Sequence, residues 1–247
     1  VRRQIFLGES TSVPKTDPVL FSPDGPRRWV SDQWLSDLGL WFTYFSGGWS
    51  ALYGALIAIY LVTYFGIILR GIRSFQSGGA IATLLGSLFA FKLGLIHFIL
   101  RPVMLSFPLF AVFFFSLMRG YREQNLSKLL VLLPAIILLW ANLHPTFILA
   151  LALLAVFAVA IHLDRVILIP GRRTPDIKMA LQAWLLLALC FGASLINPNF
   201  FELHQSILNL GSSEYFMRFH EEWMSADFRE AGPQILLLGL GVMLLAA

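Results

Sequence analysis

Residues 138–150, LLWANLHPTFILA, place an amide and an imidazole between two apolar runs. Asn142 and His144 can both hydrogen-bond a ligand, and polar groups inside membrane-like stretches are costly and often functional. The two residues are two positions apart, so they would not share a face on a helix. Pro145 indicates that His144 already lies outside a helix, because the residue before a proline disfavours helical backbone. The segment is predicted to be a turn whose polar side chains either cap it or face a ligand.

A second group of candidate residues lies in and just after the apolar run 80–100. Lys92 and His97 interrupt this run, and Arg101 and Pro102 follow it. His97 and Arg101 are four positions apart and would stack on one helix face. Lys92 would lie about 14 Å from Arg101 along a helix, and its stem can extend toward the same end. These cations either anchor a helix at the membrane interface or hold a phosphate, which a guanidinium binds well.

The first 47 residues contain the carboxylates that a reaction could use. Four prolines between positions 14 and 26 predict a loop. Asp17 precedes Pro18, which keeps its backbone extended, so this acid can face the membrane surface. Trp and Leu then recur at helical spacing after position 33, which predicts an amphipathic helix in the membrane interface, with Ser31 or Asp32 as its cap.

The composition identifies the class of protein. Of 247 residues, 57% are hydrophobic and 13% are charged, whereas soluble domains carry about a quarter charged residues. The long uncharged runs exceed the length of strands, so an all-α membrane protein is predicted. The net charge of +4 does not indicate nucleic-acid binding, because in a membrane chain the location of Lys and Arg matters more. The single cysteine, Cys190, excludes an internal disulfide or zinc framework.

Uncharged or nearly uncharged runs predict six spanning helices and the start of a seventh, since a span needs about 20 apolar residues. The runs are 49–69, 80–100, 102–118, 129–143, 146–163, 179–196 and 234–247. The chain thus divides into a first outer loop with an interfacial helix, residues 1–47, and a polytopic helical bundle, residues 48–247. Both ends are expected to be cut from a longer protein.

The basic residues orient this bundle. One set of alternate loops holds Arg70, Arg73, Arg119, Arg122, Lys128, Arg165, Arg172, Arg173 and Lys178. Apart from residues 1–47, which hold five more, the other set holds only Arg101, Arg218 and Arg229. The positive-inside rule makes the richer set cytoplasmic and places the 142–146 turn and the loop 197–232 outside. In that loop a second interfacial helix is predicted, and His204 and its acidic neighbours are expected to be solvated because their spacing matches no metal motif.

Several short motifs occur in a recognisable order: VPKTDP, WVSDQWL, RPVMLSF, LLWANLHPTF, NPN and EEWMSADF. Together they resemble bacterial multi-pass membrane proteins of the GT-C glycosyltransferase superfamily, whose relatives include the protein O-mannosyltransferases and the lipid A aminoarabinose transferases. The resemblance extends over nearly the whole chain. It implies a GT-C-like bundle with interfacial helices in its outer loops, preceded by one further spanning helix.

The resemblance also implies a function in the cell envelope. Such enzymes take a sugar from a polyprenyl-phosphate donor at the outer face of the bacterial cytoplasmic membrane, among membrane lipids and without nucleic acid. Asp17 takes the place of the acid that activates the acceptor hydroxyl or helps to hold a divalent metal. Arg101, with Lys92, matches the residues that hold the donor phosphate. The remaining substrate-binding residues would be His97, Asn142, His144, Asp32, Gln33 and Asn197.

The chain departs from that pattern at three places. Asp32 stands where histidine is expected, Pro145-Thr146 where Gly-Gly is expected, and Asn199-Phe200 where tyrosine and glycine are expected. Two other functions therefore stay open. A transporter or flippase of envelope lipids would place its polar groups near the membrane midplane. A non-catalytic envelope scaffold would tolerate substitution of its polar groups but not of its Trp-lined surfaces.

Overall fold

The chain is a set of helices joined by turns in this computed structural model. The structure describes residues 13, 15–16, 25, 29–75, 79–95, 98–166 and 174–214, together with 229, 233–234 and 237–238. The regular elements within these ranges are helices, which confirms the predicted all-α class.

The helices follow one another as α1 Trp34–Leu61, a π-helical segment Val62–Ile68, α2 Leu69–Phe75, α3 Gly79–Gly94, a 3-10 turn Pro102–Leu105, α4 Ser106–Arg122, α5 Leu129–Leu143, α6 Phe147–Val166, α7 Ile177–Ser194 and α8 Phe201–Ser212. Among the described residues, four segments are long and apolar enough to cross a membrane: Trp34–Phe75, Pro102–Arg122, Phe147–Val166 and Ile177–Ser194. This part of the chain is therefore that of a helical membrane protein. Two other predicted spans correspond to the shorter apolar helices α3 and α5.

The predicted span 80–100 is too long, because α3 ends at Gly94. Gly94 passes against the Tyr64 hydroxyl, and any side chain at position 94 would overlap it. Further on, Arg101 is extended at φ −134° and ψ 156°, as expected for a residue before proline. The 3-10 turn then begins at Pro102.

The predicted amphipathic helix is the first part of α1, but neither Ser31 nor Asp32 caps it. The N-cap residue is Gln33, and its side chain makes no capping hydrogen bond. The helical backbone is interrupted at Gly47 and Gly48, where Gly48 has φ 62° and ψ −150°. This conformation is essentially restricted to glycine. The interruption separates the amphipathic part from the apolar continuation of α1.

The main core is formed where α7 packs between α5 and α6. Small side chains predominate among the buried residues of α7, and α6 adds two buried alanines. Small residues let membrane helices approach closely. These buried residues are Ala150, Ala158, Ala180, Ala183, Cys190 and Ala193. A second cluster joins α1, the π-helical segment and the 3-10 turn through Leu56, Tyr60, Tyr64 and Met104. The π-helical segment also packs against α4.

Candidate functional site

The polar turn between α5 and α6 marks one end of the bundle. The turn end is defined here as the end of the molecule at which residues 142–147 lie. Asn142 is buried in the last turn of α5, and its side chain makes three hydrogen bonds. The Trp34 indole N–H donates to Asn142 Oδ1 at 2.9 Å, and Asn142 Nδ2 donates to the carbonyls of Leu138 at 2.8 Å and Ile196 at 2.9 Å. Asn142 thus ties the start of α1 and the end of α7 to α5, and its substrate-binding role stays a prediction.

Two further hydrogen bonds hold the same elements together. The Ser36 hydroxyl donates to the Leu143 carbonyl at 2.6 Å. Asn199 Nδ2 donates to the carbonyl of the buried Ser31 at 2.9 Å, across 168 positions of sequence. The residues before α1, the turn and the α7–α8 connection therefore lie at one end of the molecule, as the predicted hairpin topology requires.

Asn197 shapes the α7–α8 connection. Its Nδ2 donates to the Ser194 and Phe200 carbonyls, and its Oδ1 accepts the Asn199 N–H at 2.8 Å. Phe200 has φ 48°, a left-handed conformation that is uncommon outside glycine. The amide of Asn197 stabilises this turn, and its predicted contact with substrate is untested.

A hydroxyl and imidazole network extends from the turn to the start of α4. His144 Nδ1 lies 2.9 Å from Thr146 Oγ1 and accepts the Thr146 main-chain N–H at 3.3 Å. The Thr146 hydroxyl donates to Ser106 Oγ at 2.8 Å. The Trp140 indole N–H donates to both hydroxyl oxygens, at 3.1 and 3.2 Å. The tautomer of His144 sets the direction of this network: a protonated Nδ1 donates to Thr146 Oγ1, which then donates to Ser106, whereas an unprotonated Nδ1 accepts from Thr146.

An apolar cavity of about 500 Å³ begins at this network. Its volume falls in the roughly 300–1,000 Å³ range of sites for small organic ligands. The π-helical segment, α2 and α4 supply most of its walls. Its polar lining consists of Thr63, Tyr64, Ser106, Trp140 and Thr146. Wide helical turns of the π type are often found at functional sites.

The predicted phosphate-binding residues can be placed in part. Arg101 is exposed and immediately precedes the 3-10 turn, whose Val103 lines the large cavity. On its other side Leu100 lines a second cavity of about 270 Å³, together with Tyr44 and Trp49 of α1. Lys92 is exposed near the end of α3. His97 lies outside the described residues.

Of the two acids in the predicted site, the structure describes Asp32 but not Asp17. Asp17 lies outside the described residues, so its meeting with Arg101 stays a prediction. Asp32 is half-buried, next to Ser31 at the turn end. Burial raises the pKa of Asp32 above 3.8, the hydrogen bond from its own backbone partly offsets this, and the charge of Asp37 adds to it. Gln33 is half-buried beside it.

His204 was expected to be solvated, and this prediction is wrong. Its side chain in α8 is 4% exposed, and its Nε2 lies 2.9 Å from Ser194 Oγ. The rings of Phe147, Phe191 and Phe201 surround it, with centroids 5.4 to 5.8 Å away. The apolar side chains of a short amphipathic helix bury one face, and His204 follows the buried Leu203 on that face.

No sequence pattern marked Ser106, Trp140 and Thr146 as members of a site. Hydroxyl residues near helix ends commonly bond their own backbone, so their mutual contacts depend on tertiary packing. In the described part of the chain, no group of three or more His, Cys, Asp or Glu side chains is arranged to hold a metal. The residues present therefore do not fit a metal centre there.

The two polar groups of the opening motif thus differ in their environment: Asn142 is buried, whereas His144 is half-buried and bonded to Thr146 of the cavity wall. The resemblance to GT-C transferases is supported only by the residues of these motifs. No protein-family model matches the chain, nor does any curated protein or solved structure.

Proposed function

We propose that this protein is a GT-C-type glycosyltransferase of the bacterial cytoplasmic membrane, a multi-pass enzyme that transfers a sugar from a polyprenyl-phosphate donor at the outer face. The observation that carries the proposal is the meeting of two sequence-distant segments at one end of an apolar cavity. Arg101 precedes the 3-10 turn that leads into Ser106, and Ser106 is joined through Thr146 to His144. This arrangement supports a site with a cation and hydrogen-bonding groups beside a space for a lipid chain.

The reaction is a single displacement at the anomeric carbon of the sugar. The acceptor hydroxyl oxygen forms a bond to that carbon, and the bond from that carbon to the phosphate oxygen breaks. The lipid phosphate leaves with the bonding electron pair, and the hydroxyl proton passes to a carboxylate, the role assigned to Asp17. A positioned base of this kind contributes about 10²–10⁴-fold to a rate.

Arg101 stabilises the charge that develops on the leaving phosphate. The half-buried Asp32 and Gln33 and the imidazole of His144 are suited to bind the sugar, because all three lie at the same end of the bundle. No step is assigned to a metal. A transporter remains the second possibility, but the polar groups of the large cavity include Ser106, Trp140 and Thr146 at the turn end, which favours a site at one membrane face.

The test is transfer from polyprenyl-phosphate sugars by the purified protein in lipid nanodiscs, measured as release of polyprenyl phosphate. Asp17→Asn should abolish transfer without changing the thermal unfolding midpoint. Arg101→Gln should lower the rate about 100-fold or more, the usual loss when one group that stabilises developing charge is removed. Arg101→Lys should retain part of the activity, because a lysine keeps the charge without the fork of donors.

Arg119→Gln is the matched control. Arg119 is at the other end of α4, in an exposed ion pair with Glu123 at 2.7 Å, and such pairs contribute little to stability. This variant should transfer at the wild-type rate. Equal rates for Arg101→Gln and Arg119→Gln would exclude Arg101 from the site. Full activity of Asp17→Asn would exclude Asp17 as the base. Uptake of lipid by the wild-type protein without any sugar transfer would favour the transporter.

A further inference from the structure

The large cavity is elongated along α4. Its wall follows this helix from Ser106 to Phe115, which corresponds to roughly 14 Å at 1.5 Å per residue. Ile72 of α2 and Phe115 line it away from the turn end, and the hydroxyl network lines it at the turn end. A ligand that fills this space has an extended apolar chain and one polar terminus.

The lining is neutral. Its polar groups are hydroxyls and one indole, and the described residues that line it include no charged side chain. An anion buried there would lose its hydration without gaining a counter-ion, which is strongly unfavourable. The phosphate of a lipid-linked donor therefore fits the exposed Arg101 outside the cavity, whereas the cavity itself fits an uncharged head group.

The hydrogen bonds at the turn end restrict the chemistry of that head group. Trp140 and Thr146 both donate to Ser106 Oγ, so the O–H of Ser106 remains available to a ligand. If the two hydroxyls exchange roles, Ser106 donates to Thr146 and Thr146 donates to His144 Nδ1. Ser106 then keeps a lone pair that can accept. An alcohol satisfies both arrangements, because a hydroxyl can donate and accept.

We propose that this cavity binds a neutral long-chain alcohol with its hydroxyl against Ser106, so that the acceptor of the transferred sugar is a membrane-embedded lipid hydroxyl. The assignment of the acceptor rests on the proposed function, whereas the binding of the alcohol does not. The binding site is formed by Ser106, Thr146 and Trp140 at the polar end, with the α4 side chains to Phe115 along the apolar chain.

Binding is measured without any sugar donor, by the quenching of tryptophan fluorescence with dibrominated stearyl alcohol in phosphatidylcholine nanodiscs. The alcohol should quench a saturable fraction of the emission, and Trp140→Phe should remove that fraction because Trp140 lines the site. The matching dibrominated stearyl phosphate should bind there at least tenfold more weakly. Equal or tighter binding of the phosphate would overturn the proposal.

Two variants test the polar contact. Ser106→Ala and the isosteric Thr146→Val should each weaken binding of the alcohol about three- to tenfold, the equivalent of one neutral hydrogen bond. Thr83→Val is the matched control, because Thr83 is buried in α3 and bonds the Gly79 carbonyl away from the cavity. Its affinity should equal that of the wild type. Wild-type affinity in Ser106→Ala and Thr146→Val would overturn the site.

The acceptor is tested separately, by supplying a polyprenyl-phosphate sugar with either the long-chain alcohol or a water-soluble alcohol. Transfer to the long-chain alcohol supports both proposals. Transfer to the soluble alcohol alone would overturn the lipid acceptor and leave the transferase intact. Saturable alcohol binding with no transfer to any acceptor would instead overturn the transferase and leave the binding site intact.

Discussion

At the scale of single residues, His204 couples protonation to folding. Burial lowers the pKa of its imidazole below 6.5, and the Phe200 carbonyl offsets this only in part. The folded protein therefore keeps His204 neutral at a pH at which the unfolded chain is already protonated. The contribution to stability is complete above pH 6.5 and is lost as the pH falls toward the lower folded-state pKa.

The prediction is a steeper loss of thermal stability between pH 7.5 and pH 5.5 in the wild type than in His204→Gln. Glutamine keeps a hydrogen-bond donor for Ser194 but does not titrate. The comparison therefore removes only the part of the stability that depends on protonation of residue 204. The matched control is His162→Gln on α6, where His162 is exposed; this variant should keep the wild-type slope. Parallel slopes in wild type and His204→Gln would show that His204 is protonated equally in both states.

Residue types alone predicted part of this site. Asn142 and His144 were predicted to form a turn, because a polar pair before proline breaks the apolar pattern. The turn is confirmed at His144 and Pro145, whereas Asn142 still belongs to α5. The network of Ser106, Trp140 and Thr146 was not predictable, because hydroxyl side chains on apolar helices give no periodic signal. Its hydrogen bonds join residues up to 40 positions apart, and such contacts follow from how helices pack.

At the scale of helices, α1 depends on the glycine pair at its interruption. Gly48 has φ 62° and ψ −150°, and a side chain in this region costs about 1–3 kcal/mol. Nothing lies within 4 Å of a Cβ at this position, so the cost is confined to the backbone. Gly48→Ala should therefore lower the free energy of unfolding by about 1–3 kcal/mol.

Gly54→Ala is the control within the same helix. Gly54 is in the regular part of α1, and a Cβ there also meets nothing within 4 Å. Alanine is favoured over glycine in a helix interior by up to about 1 kcal/mol, so this variant should be as stable as the wild type or more so. Denaturant titration in detergent measures both. Equal stability of Gly48→Ala and Gly54→Ala would mean that α1 is continuous through residues 47 and 48.

The extent of the helices was predictable where local sequence determines it. The boundaries of α5 at residues 129 and 143 agree with the prediction, because polar and turn residues flank an uninterrupted apolar run. The end of α3 was wrong by six residues, since apolar residues continue to position 100. The helix ends at Gly94, where the backbone passes close to Tyr64. Such a contact between helices is not encoded by any local pattern.

At the scale of the whole molecule, the turn end unites the start of α1, the ends of α5 and α7 and the start of α6. The loop between α4 and α5 belongs to the opposite end, because α5 connects it to the turn. The distribution of Lys and Arg predicts that the turn end is outside and that the loop containing Glu123 is cytoplasmic. Both active-site proposals require this orientation, since donor and acceptor must meet at one membrane face.

The single cysteine makes this orientation measurable. Cys190 is 0% exposed, so a membrane-impermeant maleimide should not label the wild-type protein. Gln205→Cys places an exposed thiol on α8 near the turn end, and Glu123→Cys places one in the α4–α5 loop. The first should be labelled in intact cells whose outer membrane has been permeabilised, and the second only after the cytoplasmic membrane is opened. Labelling in the reverse order would mean that the protein has the opposite orientation in the membrane. Labelling of both thiols from one side would mean that α5 does not cross the membrane.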